Sequence, residues 1–505
     1  MRRFNLFLVS VFVTSFLFSQ KWDAKRLEVV ADQYAKRSWP QFYELLSIAN
    51  DAHFPDQIEE NIRWCEEAFG ARGFTIQRLG TERLPLLLAE RKVKKPKKTV
   101  LIYLQLDGQP VDPSKWMQET PFTPTLKSKD ETGEWRQRDW SDIEEAYDPE
   151  MRIFARAASD AKGPVSMFLA ALDAASDNDI EPNYSIKVIM DFEEELGSPP
   201  LPAAVEKYKE ELAADMLIIF DGPRHVSNEP TLTFGARGIA TITLTVHGPR
   251  KPQHSGHYGN YAPNPALRLA ALLSSMKDEQ GKVIIPGYYD GIELSTDTKE
   301  ILSQVPDDEA EIMKSVGISN TDKVGKNYQE AIQYPSLNIR GMSSGWVGDK
   351  VRTIVPSTAT AEIDVRLVME TDPKRLLGLI RNHIEQQGYH IISGDPTEEE
   401  RMNYDKIITW ESEISYLAYR TAFDSEVGVW LDKALTRAFE KQPIKIRNSG
   451  GSIPISPFVV TLGVPAVTVP TVNRDNNQHS PNENIRLGNY VEGVRTFLSI
   501  LSERF

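Results

Sequence analysis

Residues 99–107 read TVLIYLQLD, and residues 184–195 read YSIKVIMDFEEE. Each stretch is an apolar run of strand length, rich in β-branched residues, that ends in acidic side chains. Similar runs occupy residues 216–220 and 459–469. Amphipathic helical patterns lie between the runs, over residues 57–69, 164–175 and 203–212. Apolar strands that alternate with helices are typical of a mostly parallel sheet covered on both faces, so the sequence predicts an α/β fold.

A different pattern begins near Gly238. Residues 239–246 (IATITLTV) and 359–369 (ATAEIDVRLVM) alternate apolar and polar side chains, which is typical of half-exposed antiparallel strands. A helical pattern follows each of them, over residues 265–276 and 373–387. We therefore expect a smaller α+β domain with an antiparallel sheet to interrupt the first domain. The expected boundaries are 20–237 together with 395–505 for the discontinuous first domain, and 238–394 for the inserted one.

Composition excludes several classes of protein. The 505-residue chain carries 58 basic and 72 acidic residues, a formal net charge of −14. Nucleic-acid binding is not expected, because phosphate contact needs a basic surface. Cys65 is the only cysteine, which excludes an intrachain disulfide and a cysteine-based zinc site. A transition metal would therefore need histidine and carboxylate ligands.

The N-terminus has the pattern of an export signal. Two arginines, at positions 2 and 3, precede an almost entirely apolar stretch over residues 4–18. That stretch is short for a membrane span, and no other stretch approaches the roughly 18 apolar residues that a span needs. We expect residues 1–19 to be a signal peptide and the protein to be exported, either periplasmic or secreted, with no other membrane segment. An uncleaved anchor is the alternative, since the cleavage site is not a clean A-x-A.

Acidic side chains follow the predicted strands. Ligands of parallel α/β sheets bind beyond the carboxyl ends of the strands, so these side chains are expected at one edge of the sheet. The acids and the one histidine that would meet there are Asp107, Asp160, Glu193, Glu194, Glu195, Asp221 and His479. Carboxylates this close would repel one another unless cations neutralised them. The sequence therefore predicts a two-cation site with oxygen and nitrogen ligands.

Several segments resemble the di-zinc metallopeptidase and aminoacylase family, which includes carnosine dipeptidase, non-specific dipeptidase, acetylornithine deacetylase and succinyl-diaminopimelate desuccinylase. The segments are RAASDAKGPV (156–165), FEEELGS (192–198), LIIFDG (217–222), QHSGHYG (253–259), GGSIP (450–454) and NQHSPNE (477–483). The resemblance runs from about residue 25 to the C-terminus and is nearest to the dipeptidase branch. It implies that the first domain is a catalytic domain, that the inserted one is a dimerisation or lid domain, and that the protein is a zinc-dependent homodimer.

The resemblance also implies roles for individual residues. Asp160 would bridge two zinc ions, Asp221 would bind the first ion, and Glu195 and His479 would complete the second. Glu194 would be the general base that takes a proton from the metal-bound water and passes it to the leaving amine.

Gln105 departs from the family pattern, which has a histidine here, and Asp107 would lie behind that ligand. An amide oxygen is a weaker, neutral ligand for zinc, and Asp107 loses its task of orienting a histidine ring. Three interpretations stay open: a weaker or different first metal bound through Gln105, a single metal, or a relative that binds peptides without cutting them. The retained Glu194 favours an active hydrolase.

Further family positions concern the substrate. His254 would stabilise the oxyanion in the active site of the partner subunit. Arg366 would hold the carboxylate of the substrate through a bidentate fork, with Thr353 as a second candidate for that group. The residues expected to line the substrate pocket are Gly450, Gly451 and Ser452, where glycine allows close approach of the backbone.

The expected function is that of a metal-dependent hydrolase that cleaves the amide bond of a dipeptide, a short peptide or an N-acyl amino acid. Ser449 replaces an acidic residue that is common in the dipeptidase branch, which makes an N-acyl amino acid or a blocked peptide more plausible. The alternatives are a catalytically impaired peptide-binding relative and an enzyme with a single or altered metal site. A serine hydrolase is not favoured, because no G-x-S-x-G elbow stands between a strand and a helix.

Overall fold

The structure is a computed structural model that describes residues 22–143 and 146–505. Its strands, numbered along the chain, are β1 (Thr75–Leu79), β2 (Leu86–Arg91), β3 (Thr99–Gln105), β4 (Thr125–Lys129), β5 (Trp135–Gln137), β6 (Arg152–Phe154), β7 (Ser185–Asp191), β8 (Met216–Ile219), β9 (Thr231–Thr233), β10 (Gly235–Ala236), β11 (Gly238–His247), β12 (Gln253–His254), β13 (Ser336–Ser343), β14 (Ile354–Val355), β15 (Thr358–Leu367), β16 (His390–Ile392), β17 (Ile407–Tyr416), β18 (Tyr419–Arg420), β19 (Ile444–Ile446), β20 (Ala466–Thr468) and β21 (Asn484–Arg486). Its helices are α1 (Ala24–Ser47), α2 (Pro55–Gly70), α3 (Lys162–Asp177), α4 (Leu201–Lys207), α5 (Ser255–Tyr258), α6 (Pro265–Ser274), α7 (Thr296–Ser303), α8 (Glu309–Val316), α9 (Tyr328–Ala331), α10 (Pro373–Gln386), α11 (Glu398–Asn403), α12 (Glu426–Phe439), α13 (Ser456–Leu462) and α14 (Leu487–Ser502).

The larger domain is built on an eight-stranded sheet in the order β1-β2-β7-β3-β8-β20-β9-β19. The central strands β7, β3, β8 and β20 are mutually parallel. Antiparallel pairs join β1 to β2, β2 to β7, and β20 to β9. The prediction of a mostly parallel α/β sheet is confirmed.

Strand β3 shows why the central strands are apolar along their whole length. Val100, Ile102 and Leu104 belong to a core that includes side chains of α1, α3 and α14. Leu101 and Tyr103 belong to the core on the other face, with side chains of α4 and α13. Because successive side chains of a strand point to opposite faces, helices on both sides leave no position for a polar residue.

Residues 459–469, expected to form one apolar strand, divide between a helix and a strand. Helix α13 ends at Leu462, Gly463 follows it with a φ of 68° in the left-handed region, and β20 begins at Ala466. Short apolar runs do not distinguish a buried helix from a buried strand, and here the glycine ends the helix.

The smaller domain is built on a five-stranded sheet in the order β13-β15-β11-β17-β16, and side chains of α6 and α10 belong to its core. Its strands pair antiparallel, except that β16 is parallel to β17. Because β17 pairs with β11 along its length, we propose that this domain covers residues 238–416 in place of the expected 238–394. Only the first three residues of β17 are buried, so it lacks the alternation that would reveal a strand.

The expected signal peptide, residues 1–19, lies outside the described residues. Within residues 22–143 and 146–505, no helix has both the length and the apolar character that crossing a membrane requires.

Candidate active site

The carboxyl ends of β7, β3 and β8 lie side by side at one edge of the large sheet. Gln105 is the last residue of β3 and pairs in register with Asp191, the last residue of β7. A 3₁₀ turn, Glu194–Leu196, follows β7, and Asp221 follows β8. The parallel strands therefore bring the expected site residues to one edge.

Asp107 holds the turn that carries the two glutamates. Its Oδ1 accepts a hydrogen bond from the backbone N–H of Glu194 at 3.1 Å, and its Oδ2 accepts one from the N–H of Glu195 at 2.9 Å. The turn ends at Gly197, with a φ of 81°, whose carbonyl accepts a hydrogen bond from the Tyr416 hydroxyl at 2.8 Å. Asp107 thus supports the turn of the two glutamates, whereas the family resemblance placed it only behind the residue at position 105.

Three side chains within the described part of the chain have the spacing of a cation site. Asp160, Glu195 and His479 each offer one ligand atom, and these atoms lie within 4.8 Å of one another. His479 Nε2 is 3.0 Å from Asp160 Oδ2 and 3.3 Å from Glu195 Oε2. Two carboxylates and an imidazole are a ligand set that suits Zn²⁺ and leaves a fourth position open. These residues therefore fit a divalent cation.

The charges of the site also favour a cation. Burial and the charge of Asp160 raise the pKa of Glu195 to about 8 and the pKa of Asp221 to about 7. Burial, and then the charges of Asp221 and Asp160, raise the pKa of Glu194 well above its usual value. The hydrogen bond to Asp160 raises the pKa of His479 to about 9. A divalent cation would relieve the repulsion among these carboxylates.

The two oxygens of Asp160 have different neighbours. Oδ2 faces His479 and lies 3.4 Å from Gln478 Nε2, whereas Oδ1 accepts a hydrogen bond from Gln105 Nε2 at 2.9 Å. The Gln105 Oε1 atom is buried and has no hydrogen-bond partner among the described residues. Asp221 stands outside the three-residue group and accepts a hydrogen bond from the N–H of Gly222 at 2.6 Å. Gln105 therefore contacts Asp160 as a hydrogen-bond donor.

Glu483 is a site residue that sequence reasoning missed, although it ends the NQHSPNE motif. The side chain is fully buried, and one oxygen accepts hydrogen bonds from Arg156 Nη1 at 2.8 Å and from the Ala157 N–H at 3.0 Å. The other oxygen accepts hydrogen bonds from the N–H groups of Ser159, at 3.0 Å, and Asp160, at 2.9 Å. Glu483 therefore fixes the backbone from which Asp160 projects. The sequence signal that could have identified Glu483 is that it is an acidic residue in the same motif as His479.

The structure brings Arg366 and Ser452 together from the two domains. Arg366 Nη1 donates a hydrogen bond to Ser452 Oγ at 2.8 Å. Gly450 and Gly451 precede Ser452, and neither has a positive φ. A Cβ added to Gly450 would lie 3.3 Å from the Tyr328 hydroxyl, whereas one added to Gly451 would meet nothing within 4 Å. The expected role of Gly450 and Gly451 in lining the substrate pocket stays a prediction.

His254 and Thr353 lie together on the smaller domain, and both are exposed. His254 pairs with Ile354 between β12 and β14, and the Thr353 carbonyl accepts a hydrogen bond from the Ser255 N–H at 3.0 Å. His254 Nδ1 accepts a hydrogen bond from the Gly256 N–H at 3.0 Å. Among the described residues, no hydrogen bond links His254 or Thr353 to the three-residue group. Their roles toward substrate stay predictions.

Comparison with known proteins identifies similar metallopeptidases. The Cys-Gly metallodipeptidase dug1 of Schizosaccharomyces pombe is 28% identical over 429 residues, which are 83% of this chain and 82% of that protein. The Beta-Ala-His dipeptidase of Homo sapiens is 26% identical over 437 residues, 83% of this chain and 77% of that protein. The crystal structure of an M20 family metallo-carboxypeptidase, Sso-CP2 from Sulfolobus solfataricus, matches with a TM-score of 0.75 and 27% identity, covering 92% of this chain and 98% of that one.

These comparisons correct the expected location. The similarity to Cys-Gly metallodipeptidases of yeasts, which extends over most of the chain, does not support an exported, periplasmic or secreted protein. The prediction of export is therefore wrong. It rested on composition at residues 1–19, where a short apolar stretch after basic residues was sufficient to suggest a signal.

The family model described as Peptidase family M20/M25/M40 matches residues 102–503 of this chain. That range contains Gln105, Glu194 and the whole three-residue group. The predictions of a metal-dependent peptidase and of a resemblance to the dipeptidase branch are confirmed, and a catalytically impaired relative is not favoured. The chain belongs to peptidase family M20/M25/M40.

Proposed function

We propose that this protein is a metal-dependent dipeptidase in which Glu194 is the general base. The observation that carries the proposal is the contact of Asp160, Glu195 and His479 beside the turn that holds Glu194. The names of the relatives, Cys-Gly metallodipeptidase and Beta-Ala-His dipeptidase, support a dipeptide as the substrate. The substrate class includes short peptides and N-acyl amino acids, which share the same amide bond.

The three ligand residues would hold a divalent cation, with zinc as the expected ion, and such a cation polarises a carbonyl and makes a bound water more acidic. Glu194 takes a proton from the attacking water and delivers it to the leaving amine. Its half-buried position among other acids favours uptake of a proton, and the hydrogen bond from its N–H to Asp107 fixes the turn that carries it.

We assign binding of the substrate carboxylate to Arg366. Its guanidinium is partly exposed and already donates one hydrogen bond to Ser452, which orients the remaining N–H groups. A guanidinium can grip a carboxylate with two parallel hydrogen bonds. Ser449, whose hydroxyl donates to the Gly451 carbonyl at 3.0 Å, carries no negative charge for a free amino terminus. A panel of dipeptides, N-acetyl amino acids and C-terminally amidated dipeptides would define which ends the enzyme reads.

The catalytic test compares wild type with Glu194→Gln. We expect hydrolysis of the dipeptide panel to fall by about 10²–10⁴-fold in the variant, because proton transfer is lost while the ligands stay. Cation binding should persist in the variant, and a chelator should abolish wild-type activity. Glu311→Gln, at an exposed helical position, serves as the matched control and should retain activity. Turnover that survives both Glu194→Gln and chelation would contradict the proposal.

We further propose that the enzyme is a homodimer through its smaller domain. Strand β13 is at the edge of that sheet, and exposed apolar side chains lie on it or follow it. They are Met342, Trp346, Val347 and Val351, with exposures of 54%, 45%, 86% and 67%. Soluble proteins usually cover an unpaired strand edge and a large apolar patch. Sedimentation should give twice the mass of one chain, and Val347→Glu should reduce that mass.

In such a dimer, His254 would act on the site of the partner subunit. Co-refolded His254→Ala and Glu194→Gln chains test this, since each variant is expected to be inactive alone. Half of the dimers would be mixed, and each mixed dimer would contain one complete site, so about a quarter of wild-type activity should return. Mixtures that stay inactive would contradict action across subunits.

A further inference from the structure

We propose that each chain binds one divalent cation, at Asp160, Glu195 and His479, and that the amide of Gln105 takes the place of a second one. The inference rests on the proposed function, because it concerns the same site. Gln105, at the end of β3, approaches Asp160 with an N–H group.

The carboxylate of Asp160 is divided between two partners. Oδ2 is 3.0 Å from His479 Nε2, inside the three-residue group. Oδ1, which is not the oxygen that contacts His479, accepts a hydrogen bond from the Gln105 N–H at 2.9 Å. A carboxylate that bridges two cations needs one oxygen for each cation. Here a hydrogen-bond donor already neutralises part of the charge on the second oxygen.

The orientation of the Gln105 amide follows from this contact. With the amide rotated, Oε1 would face Oδ1 of Asp160, and two acceptors would then repel each other without a proton or a cation between them. Oε1 instead stays buried, with no hydrogen-bond partner in the described ranges, and the side chain is only 2% exposed. The N–H contact with Asp160 therefore holds a fully enclosed side chain in one arrangement.

The two candidate ligand sets differ in how well they suit a transition metal. The three-residue group contains an imidazole and two carboxylates, a set that binds transition metals well. A second set made of Gln105, Asp160 and Asp221 would offer oxygen atoms only, one of them from a neutral amide. Asp221 already accepts the N–H of Gly222 at 2.6 Å. Zinc would therefore fill the first set and leave the second without a cation.

The experiment counts cations on the full-length, chelator-treated protein. Calorimetric titration with Zn²⁺, and separately with Mn²⁺, should give one equivalent per chain, and elemental analysis after gel filtration should give the same number. Two equivalents of either cation would overturn the inference. His479→Ala should bind no tight equivalent, and a retained equivalent would overturn the placement at the three-residue group.

Variants at Gln105 provide the matched pair. Gln105→His supplies an imidazole and should bind two equivalents of Zn²⁺, whereas Gln105→Leu removes the amide without adding a ligand and should bind one. Circular dichroism identifies any variant that does not fold, and the wild-type count then decides alone. A folded Gln105→His that binds one equivalent would overturn the inference.

The number of bound cations tests this inference, and the turnover of substrate tests the proposed function, so the two proposals can fail separately. A wild type that binds one cation and cleaves no substrate contradicts the proposed function and leaves this inference intact. A wild type that binds two cations and cleaves dipeptides contradicts this inference and leaves the proposed function intact.

Discussion

The substitution Glu483→Gln tests how the Asp160 loop is held. The carboxylate of Glu483 accepts four hydrogen bonds, two on each oxygen, from Arg156 and from the N–H groups of Ala157, Ser159 and Asp160. Glutamine has nearly the same shape but only one oxygen, so its NH₂ group must face two of these donors. Two hydrogen bonds are lost whichever way the amide turns, and the charge of Arg156 is left without its counter-ion.

The magnitude follows from burial. The side chains of Arg156 and Glu483 are 3% and 0% exposed, so water does not replace the lost contacts. Removal of one partner from a buried ion pair costs about 3–5 kcal/mol. This is a large part of the roughly 5–15 kcal/mol by which domains are stable. We also expect zinc affinity to fall by about 10–100-fold, because the support behind the ligand Asp160 is disturbed.

Urea unfolding followed by circular dichroism measures the first effect, and calorimetric zinc titration measures the second. Glu311→Gln is the control, since its ion pair with Lys314 is on the surface and surface pairs contribute little. The reasoning would be refuted if Glu483→Gln unfolded within about 1 kcal/mol of wild type and bound zinc equally well.

Three further perturbations test other parts of the structure. Gly197→Ala should lower the free energy of unfolding by clearly more than the roughly 1–2 kcal/mol that an alanine in the left-handed region costs, because the new Cβ would lie 2.3 Å from the Tyr416 hydroxyl. Gly317→Ala is the control for the backbone cost alone, since Gly317 has a φ of 72° and an added Cβ would meet nothing within 4 Å. Equal losses of stability in urea unfolding of the two variants would contradict the clash. Arg366→Lys should raise KM by roughly tenfold for dipeptides with a free carboxylate and leave it unchanged for amidated ones, because lysine lacks the planar fork; equal changes for both would reject the assignment. Burial lowers the pKa of His247 below its usual 6.5, so the unfolded chain binds the proton more tightly and the free energy of unfolding falls as the pH drops below about 6.5. Unfolding at several pH values should show a smaller acid loss in His247→Gln, and an unchanged loss would contradict this.

The sequence by itself determined the sheet edge and the residues at it. Continuous apolar runs at β3, β7 and β8 indicated buried parallel strands, and parallel strands place their carboxyl ends together however the surrounding helices pack. Asp107, Glu194, Glu195 and Asp221 follow these strands, so the sequence predicts that they lie together at one edge. The sequence also predicts that Asp160 and His479 lie at this edge, and the family resemblance adds the roles of both residues as metal ligands.

Tertiary structure alone decided the partners of these residues and the sheet to which β17 belongs. The Glu483 carboxylate and the N–H of Asp160 are 323 residues apart, and Arg366 and Ser452 are 86 apart. Local periodicity carries no information about contacts at such distances. The same holds for β17, which is identified by its hydrogen bonds to β11 because most of its side chains are not buried. The direction of the Gln105 amide likewise depends on Asp160, since a side-chain amide takes its orientation from the groups that surround it.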